Sequence, residues 1–403
     1  MKIAKLGEVA RIYNGNSINE RVKAKEYAQV LNGTPYVATK DIAYSFDVDY
    51  ENGIKIPVNK SAGFKIAKKG SVLLCAEGGS AGRKMAIIDR DVFFVNKLFC
   101  FETNGELNSR FLFYYLQAPK FQSLFKDSIT GLIGGVSLEK VRNLPIGIPN
   151  IKKQLEIVEK LDSTFSQISL SVSTTNESLE RLISCFDSFL NRILQEQIKI
   201  CGEKKLVDVV DIARGGSPRP IEAFLTEAED GINWIKISDA TSSNKYINET
   251  VQKIKPEGAS RSRVVHPGDF LLSNSMSFGR PYIMGTSGCI HDGWLVLSNT
   301  KGILNQDYLY YVLGSKYIYE QFNRTAAGST VRNLNISLAG QVKFPVPSLD
   351  SQKSIVSSLV TFEASINEMQ ETLRSKITKL VELKDALLAE AFEINIQSSG
   401  LAS

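Results

Sequence analysis

The residues able to do chemistry in this chain of 403 are few and scattered. Five cysteines, at 75, 100, 185, 201 and 289, form no Cys-x-x-Cys pair and are odd in number. That excludes a zinc ribbon and a disulfide framework, and it suits a reducing compartment. His266 and His291 are the only histidines and read as structural or contact residues. The sequence contains no Gly-x-x-x-x-Gly-Lys-Ser/Thr, no His-Glu-x-x-His and no Gly-x-Ser-x-Gly. Gly78-Gly79-Ser80-Ala81-Gly82 is rich in glycine but lacks the strand-to-helix context and later acidic residue of a nucleotide fingerprint. Asn32-Gly33-Thr34-Pro35-Tyr36 lacks the second proline of an amino-methyltransferase run. An enzyme of this size would show such a constellation, so the pattern favours a binding protein.

What remains is a set of glycine-rich loops carrying basic and amide side chains. In the first half the candidates are Asn14, Asn16, Lys40, Ser80, Arg83, Lys84 and Thr130. In the second half they are Arg214, Arg219, Lys236, Ser273, Asn274, Ser275, Arg280, Ser329, Thr330, Arg332 and Asn333. Arginine suits guanine and asparagine suits adenine in the major groove; lysine, serine and threonine suit phosphates. Glycine lets the backbone come close. The charge distribution agrees. Residues 1–150 carry 21 Lys/Arg against 14 Asp/Glu, and residues 201–348 carry 16 against 14; residues 151–200 and 349–403 are acidic, with 6 against 7 and 5 against 8. Basic globular parts beside acidic segments point to a polyanion partner, double-stranded DNA.

The elements that must position these loops come in duplicate. Leu6-Gly7-Glu8-Val9 recurs as Leu206-Val207-Asp208-Val209, and Gly33 to Asp41 recurs as Gly231 to Asp239. Lys69-Gly70-Ser71-Val72-Leu73-Leu74 matches Pro267-Gly268-Asp269-Phe270-Leu271-Leu272, and Gly82-Arg83 matches Gly279-Arg280. Phe113-Tyr114-Tyr115-Leu116 aligns with Leu309-Tyr310-Tyr311-Val312, and Gln154-x-x-Ile157-Val158 with Gln352-x-x-Ile355-Val356. Six pairs in one order at nearly constant offset mean a duplicated domain. Each copy begins with short runs such as Ser71–Cys75 and Val92–Val95, which read as strands, and contains one helical segment, Asn108 to Phe125 and Gln306 to Phe322. The pattern is a mixed α/β globule.

Each copy ends in a long helix. Positions 158, 161, 165, 168, 172, 175, 179, 182, 186, 189 and 193 alternate spacings of three and four, and only Thr175 is polar. Positions 355, 359, 362, 366, 369, 373, 376, 380, 383 and 387 repeat the pattern, with Lys376 the exception. These are heptad seams. At about 1.5 Å per residue such a helix reaches roughly 66 Å, so the two seams are expected to pack together, antiparallel. Two diverged globules on a rigid spacer suit two different half-sites about 34 Å apart, one turn of DNA.

At this point the chain resembles the specificity subunit of type I restriction–modification systems, over essentially all of its length. The resemblance rests on the opening runs Lys5 to Val9 and Lys205 to Val209, the duplicated strand and helix motifs, and the Ile-Gly-Ile-Pro and Phe-Pro-Val-Pro runs. Gln-x-x-Ile-Val and a heptad helix follow each of those runs. It implies an α/β (α+β) fold with two similar mixed α/β target recognition domains, residues 1–150 and 201–348. Two long antiparallel coiled-coil spacer helices, 151–200 and 349–397, join them, and a frayed tail, 398–403, follows. It also implies two modification (methyltransferase) subunits docked on the assembly, with restriction subunits able to join. S-adenosylmethionine, ATP and Mg would sit on those partners, with no cofactor, metal or catalytic residue in this chain.

Two other readings compete: a stand-alone DNA-binding regulator or architectural protein, and a two-lobed enzyme with a site between its lobes. No stretch approaches the ~18 apolar residues of a membrane span, and the start Met1 to Glu8 lacks a signal peptide's apolar region, so a cytoplasmic protein is expected.

Overall fold

The computed structural model of the chain describes residues 2–130, 134–274, 278–326 and 334–393. Ser275, Ser329, Thr330, Arg332, Asn333 and the tail 398–403 lie outside them. The chain divides into two compact units, Met1–Thr175 with Arg374–Ser403, and Asn176–Leu373. Among the described residues no helix is long and apolar enough to cross a membrane.

The first unit holds two four-stranded sheets. One is antiparallel, with strands in the order Ala10–Asn14, Leu98–Thr103, Val72–Cys75 and Met85–Ile87. The other runs Lys55–Ile56, Thr34–Val37, Val92–Phe94 and Ile66–Ala67, with its central pair parallel. Strand Lys2–Lys5 closes the unit against Pro145–Ile148. The second unit repeats both orders. Asp211–Arg214, Trp294–Ser298, Phe270–Ser273 and Pro281–Met284 gain Tyr246–Ile247 at the edge. Gln252–Ile254, Ile232–Ile235, Gly288–Ile290 and Arg263–Val265 gain Leu225–Thr226. The central strands are apolar runs such as Val72-Leu73-Leu74-Cys75, buried on both faces, which is why they read as continuous β-rich segments rather than alternating ones.

The single helix expected in each copy is two. Ser109–Gln117 ends where Ala118 is held extended ahead of Pro119, and Pro119–Asp127 begins afresh with that proline in its first turn. In the second copy Ser315 makes the same break between Gln306–Gly314 and Lys316–Ala326. The caps also correct the register of the repeat. Asn108 caps one helix and Asn305 the other, and Tyr114 donates to Asp162 as Tyr311 donates to Glu363. Tyr114 therefore corresponds to Tyr311, one residue from the sequence alignment.

The long helices run Ile151–Cys201 and Leu349–Ala391. Phe165 meets Lys384 in the first unit, while Phe186 and Phe189 meet Phe362 in the second. Within the first unit Lys153 and Ile157 line one pocket with Phe392 while Phe165 lies under Lys384, so numbers that rise on one helix fall on the other and the pair is antiparallel there. The seam departs from the strict heptad at its ends and, on the second helix, along its middle as well. Leu190 and Leu194 are buried where 189 and 193 were expected to lead. Met369 and Leu383 are exposed, and the sheltered positions are Gln370, Ile377 and Lys384. An α-helix drifts about 20° per heptad from a 3.5 repeat, and here the end turns also answer to the globular cores. Leu190 and Leu194 enter the second unit's core, and Leu388 and Phe392 enter the first's.

The motif Gln-x-x-Ile-Val is a clamp. Gln154 is fully buried: its Oε1 accepts from Asn108 N (2.8 Å), and its Nε2 donates to Glu106 O (2.8 Å) and Pro149 O (2.9 Å). Gln352 does the same with Asn305 N (2.7 Å), Ile303 O (2.9 Å) and Pro347 O (2.8 Å). One amide thus fixes the start of each long helix to the cap of a domain helix.

Candidate nucleic-acid interface

In the first unit the turn Thr39–Asp41 and the loop Gly78–Lys84 form one surface. Asp41 is buried and holds the turn, its Oδ2 accepting from Ala38 N (2.8 Å) and its Oδ1 from Asn52 Nδ2 (3.3 Å). Gly82 makes the loop possible. Its φ is +73°, and a Cβ there would stand 2.8 Å from the Phe125 ring; Gly279 repeats this at +77° and 2.8 Å from Phe322. The Gly-Arg motif of the repeat is therefore a backbone requirement that carries an exposed arginine, Arg83 or Arg280, as its next residue.

Lys84 Nζ donates to Thr39 O (3.2 Å), joining loop to turn. Arg83 donates to Gly79 O. Both cations lie over the ring of Tyr44, Arg83 at 5.5 Å and Lys84 at 5.1 Å from its centroid, and Ser80 Oγ hydrogen-bonds the Tyr44 hydroxyl (3.1 Å). Lys40 is exposed in the turn. Among the described residues no carboxylate lies within ion-pair distance of Lys40, Arg83 or Lys84. Tyr44 was not among the sequence candidates, because nothing in its spacing separates an exposed tyrosine from a core one.

Asn14 and Asn16 are half-buried and spent internally. Asn14 Nδ2 donates to Asn96 O (2.9 Å); Asn16 Oδ1 accepts from Lys65 N (2.7 Å) and its Nδ2 donates to Gly63 O (3.2 Å). They brace the loop instead of facing outward. Their neighbour Gly15 passes so close to strand Val92–Phe94 that a Cβ would lie 1.9 Å from Phe94 O; Gly215 repeats the approach to His291 O at 2.1 Å. Thr130 is exposed and pairs with Gly135 through both backbone bonds.

In the second unit Arg214 and Arg219 meet Asp292. Arg214 Nε donates to Asp292 O (2.9 Å), and Arg219 stands 3.4 Å from the Asp292 carboxylate. Lys236 and Arg219 line a cleft of about 1280 Å³ with Trp234, Ile237, His291 and Asp292. Ser273 and Asn274 are buried. Ser273 Oγ accepts from Arg280 N (2.9 Å), and Asn274 Nδ2 donates to Asp292 O (2.9 Å). Both are buried, a correction to their reading as outward contacts: the strand Phe270–Ser273 runs into the core and Asn274 follows it directly.

The cleft brings serine, histidine and aspartate together, the residue types of a hydrolytic triad, so its geometry tests the enzyme reading. Ser217 Oγ donates to Asp292 Oδ1 (2.8 Å), not to histidine. The two ring nitrogens of His291 face backbone N–H groups, Gly293 N at 2.7 Å and Ile237 N at 3.2 Å. Burial pushes the imidazole below its ordinary pKa, and the hydrogen bond from Ser217 holds the Asp292 carboxyl below its usual value. The serine's acceptor is a carboxylate held below its usual pKa, a weak base, and the histidine does not address it, so the arrangement is not that of a Ser-His-Asp triad. Among the described residues no group of three His, Cys, Asp or Glu could hold a metal ion.

Comparison with known proteins gives one family. The type I restriction modification DNA specificity domain matches residues 1–181 and again 201–379. A Haemophilus influenzae protein assigned as a type I restriction enzyme specificity subunit is 28% identical, over 91% of this chain and 89% of its own. The MjaVIII type I restriction enzyme specificity subunit of Methanocaldococcus jannaschii is 22% identical, over 86% of this chain and 84% of its own. Among solved structures, a chain from a study of assembly and conformational transition of the type I R-M system superposes with a TM-score of 0.75 at 17% identity, over 97% of both chains. The HsdS subunit of Thermoanaerobacter tengcongensis gives 0.60 at 18%, over 98% of this chain and 97% of its own.

Proposed function

Because the chain belongs to the type I restriction–modification DNA specificity family, we propose that it is the sequence-reading subunit of such a complex. Each unit reads one half of a bipartite, asymmetric DNA target. The observation that carries this reading is a frame built twice, with the same clamp and the same Gly-Arg turn, bearing unlike loops: an unpaired basic cluster on Tyr44 in one copy, an arginine-lined cleft in the other. Lys40, Arg83, Lys84 and Thr130 contact DNA in the first unit; Arg214, Arg219, Lys236 and Arg280 do so in the second. Ser275, Ser329, Thr330, Arg332 and Asn333, which lie outside the described residues, are assigned DNA contact by their residue types and repeat positions.

The long helices set the spacing between half-sites and dock two methyltransferase subunits. Their outward faces carry Leu170, Ile183, Met369 and Val381, each more than half exposed, the apolar surface a partner would cover. Restriction subunits join the same assembly. S-adenosylmethionine sits on the methyltransferase subunits, and ATP with Mg on the restriction subunits, so this chain directs chemistry that others perform. It acts in the cytoplasm, where the DNA is.

The test is a single-molecule methylome of cells expressing the methyltransferase subunits with and without this chain. N6-methyladenine should appear at one interrupted, asymmetric motif only when the chain is present. The same marks without it would overturn the reading in favour of a stand-alone DNA-binding regulator.

A further inference from the structure

Tyr44 is an exposed aromatic residue, 57% accessible, on a rigid mount. It sits at the tip of a tight turn closed by the bridge between Ile42 and Val48 and by Ala43 N donating to Asp47 O (2.9 Å). Phe46, two residues on, anchors the turn edge-on against Phe113 (5.4 Å) at a φ of +73°. A side chain held this firmly, yet left in solvent, has work outside the core. Its hydroxyl meets Ser80, and its face meets both Arg83 and Lys84.

Two cations on one ring repel each other, and no carboxylate among the described residues neutralises them. The ring's negative face offsets part of that repulsion and restricts both long side chains to a few rotamers. An arriving phosphate or base edge supplies the missing counter-charge. At the matching repeat position the second copy has Ser242, whose hydroxyl donates to Asp239 O (2.8 Å), and Arg280 lies instead 5.9 Å from the centroid of Tyr282. Among the described residues, two cations of this loop on one exposed ring occur in the first unit alone.

We propose that Tyr44 is a positioning residue for sequence reading by the first unit: its ring pre-orients Arg83 and Lys84 toward the DNA. This rests on the DNA-reading function proposed above. The experiment uses the full chain assembled with methyltransferase subunits, and fluorescence anisotropy on three duplexes: the motif found by methylome mapping, that motif with its first half scrambled, and with its second half scrambled. Tyr44→Leu should weaken binding to the intact motif about tenfold and abolish discrimination of one half while leaving the other intact. Tyr44→Phe keeps the ring face and should stay within about twofold of wild type. The melting temperature of Tyr44→Leu should be nearly unchanged, because the residue is exposed; if that variant does not fold, Arg83→Gln with Lys84→Gln should give the same one-sided loss. Full discrimination by folded Tyr44→Leu, or an equal loss in Tyr44→Phe, overturns the proposal. Wild-type complex that binds all three duplexes alike overturns the parent reading instead.

Discussion

In the first unit the segment from Glu20 to Tyr27 folds over Tyr36, and Ile18, Tyr27, Val30 and Val95 fill the space around it. In the second unit Trp234 stands where Tyr36 does and His291 where Val95 does, yet the chain after Ser217 takes another path and leaves the cleft open. Beneath these differences the strand orders agree, the parallel pair is the same, and Gln154 and Gln352 make bond-for-bond identical clamps. The frame tolerates little change because each of its groups is buried and fully paired, and losing one partner strands the others. The loops face outward, where a substitution costs little stability and alters what can be bound. The long helices follow the same rule: Leu190 and Leu388 occupy matching buried positions, while Phe186 corresponds to Lys384, whose half-buried ammonium lies over Phe165 and Phe46. Burial pushes that lysine below its ordinary pKa.

The strongest test of the shared frame is the clamp. Gln154→Leu and Gln352→Leu should each lower the unfolding free energy by about 2–3 kcal/mol, because three backbone groups lose their partner. Urea unfolding measures both; a cost in one copy alone would break the equivalence. The loops predict the opposite, an asymmetric result. Arg83→Gln and Arg280→Gln should each remove about 1–3 kcal/mol of discrimination at one half-site only, read by binding to half-scrambled duplexes. If either variant weakened both halves alike, the units would not read independently.

The smallest effect comes from pH, and it belongs to the second unit. His291 is held neutral below its ordinary value, chiefly by burial, against the opposing pull of Asp292 and Asp239. Between the ordinary value of 6.5 and the depressed folded one, the unfolded chain binds the proton and the folded one does not. Stability therefore falls as pH drops below about 6.5. His291→Gln should flatten that part of the melting-temperature profile; an unchanged slope would assign it to other groups. The first unit has Val95 at this position and no histidine.

Much of this was legible in the residues. The duplication, the strand runs, the two long helices and their antiparallel pairing follow from apolar periodicity and matched motifs, which are local properties of a chain that must bury one face. The Gly-Arg pair was legible as a motif, though not its reason, since a positive φ and a ring 2.8 Å away exist only once Phe125 has packed. The seam was legible as an apolar stripe, though not its register along the second helix, where Gln370 and Ile377 are sheltered instead of 369 and 376, nor its ends. There Leu190, Leu194, Leu388 and Phe392 answer to the globular cores, and a heptad count cannot see which neighbour arrives.

The candidate site divides in the same way. Residue type marked Arg83, Lys84, Arg219 and Lys236 as able to contact an anion. It could not tell them from Asn16, which is spent on internal hydrogen bonds, or from Ser273 and Asn274, which are buried, nor find Tyr44. The sequence by itself determined that there would be two similar domains on paired helices, because repeat and period are written in one dimension. Which polar groups remain free to meet DNA was decided only by the tertiary structure, because a hydrogen bond satisfied from 50 residues away leaves no trace in local spacing.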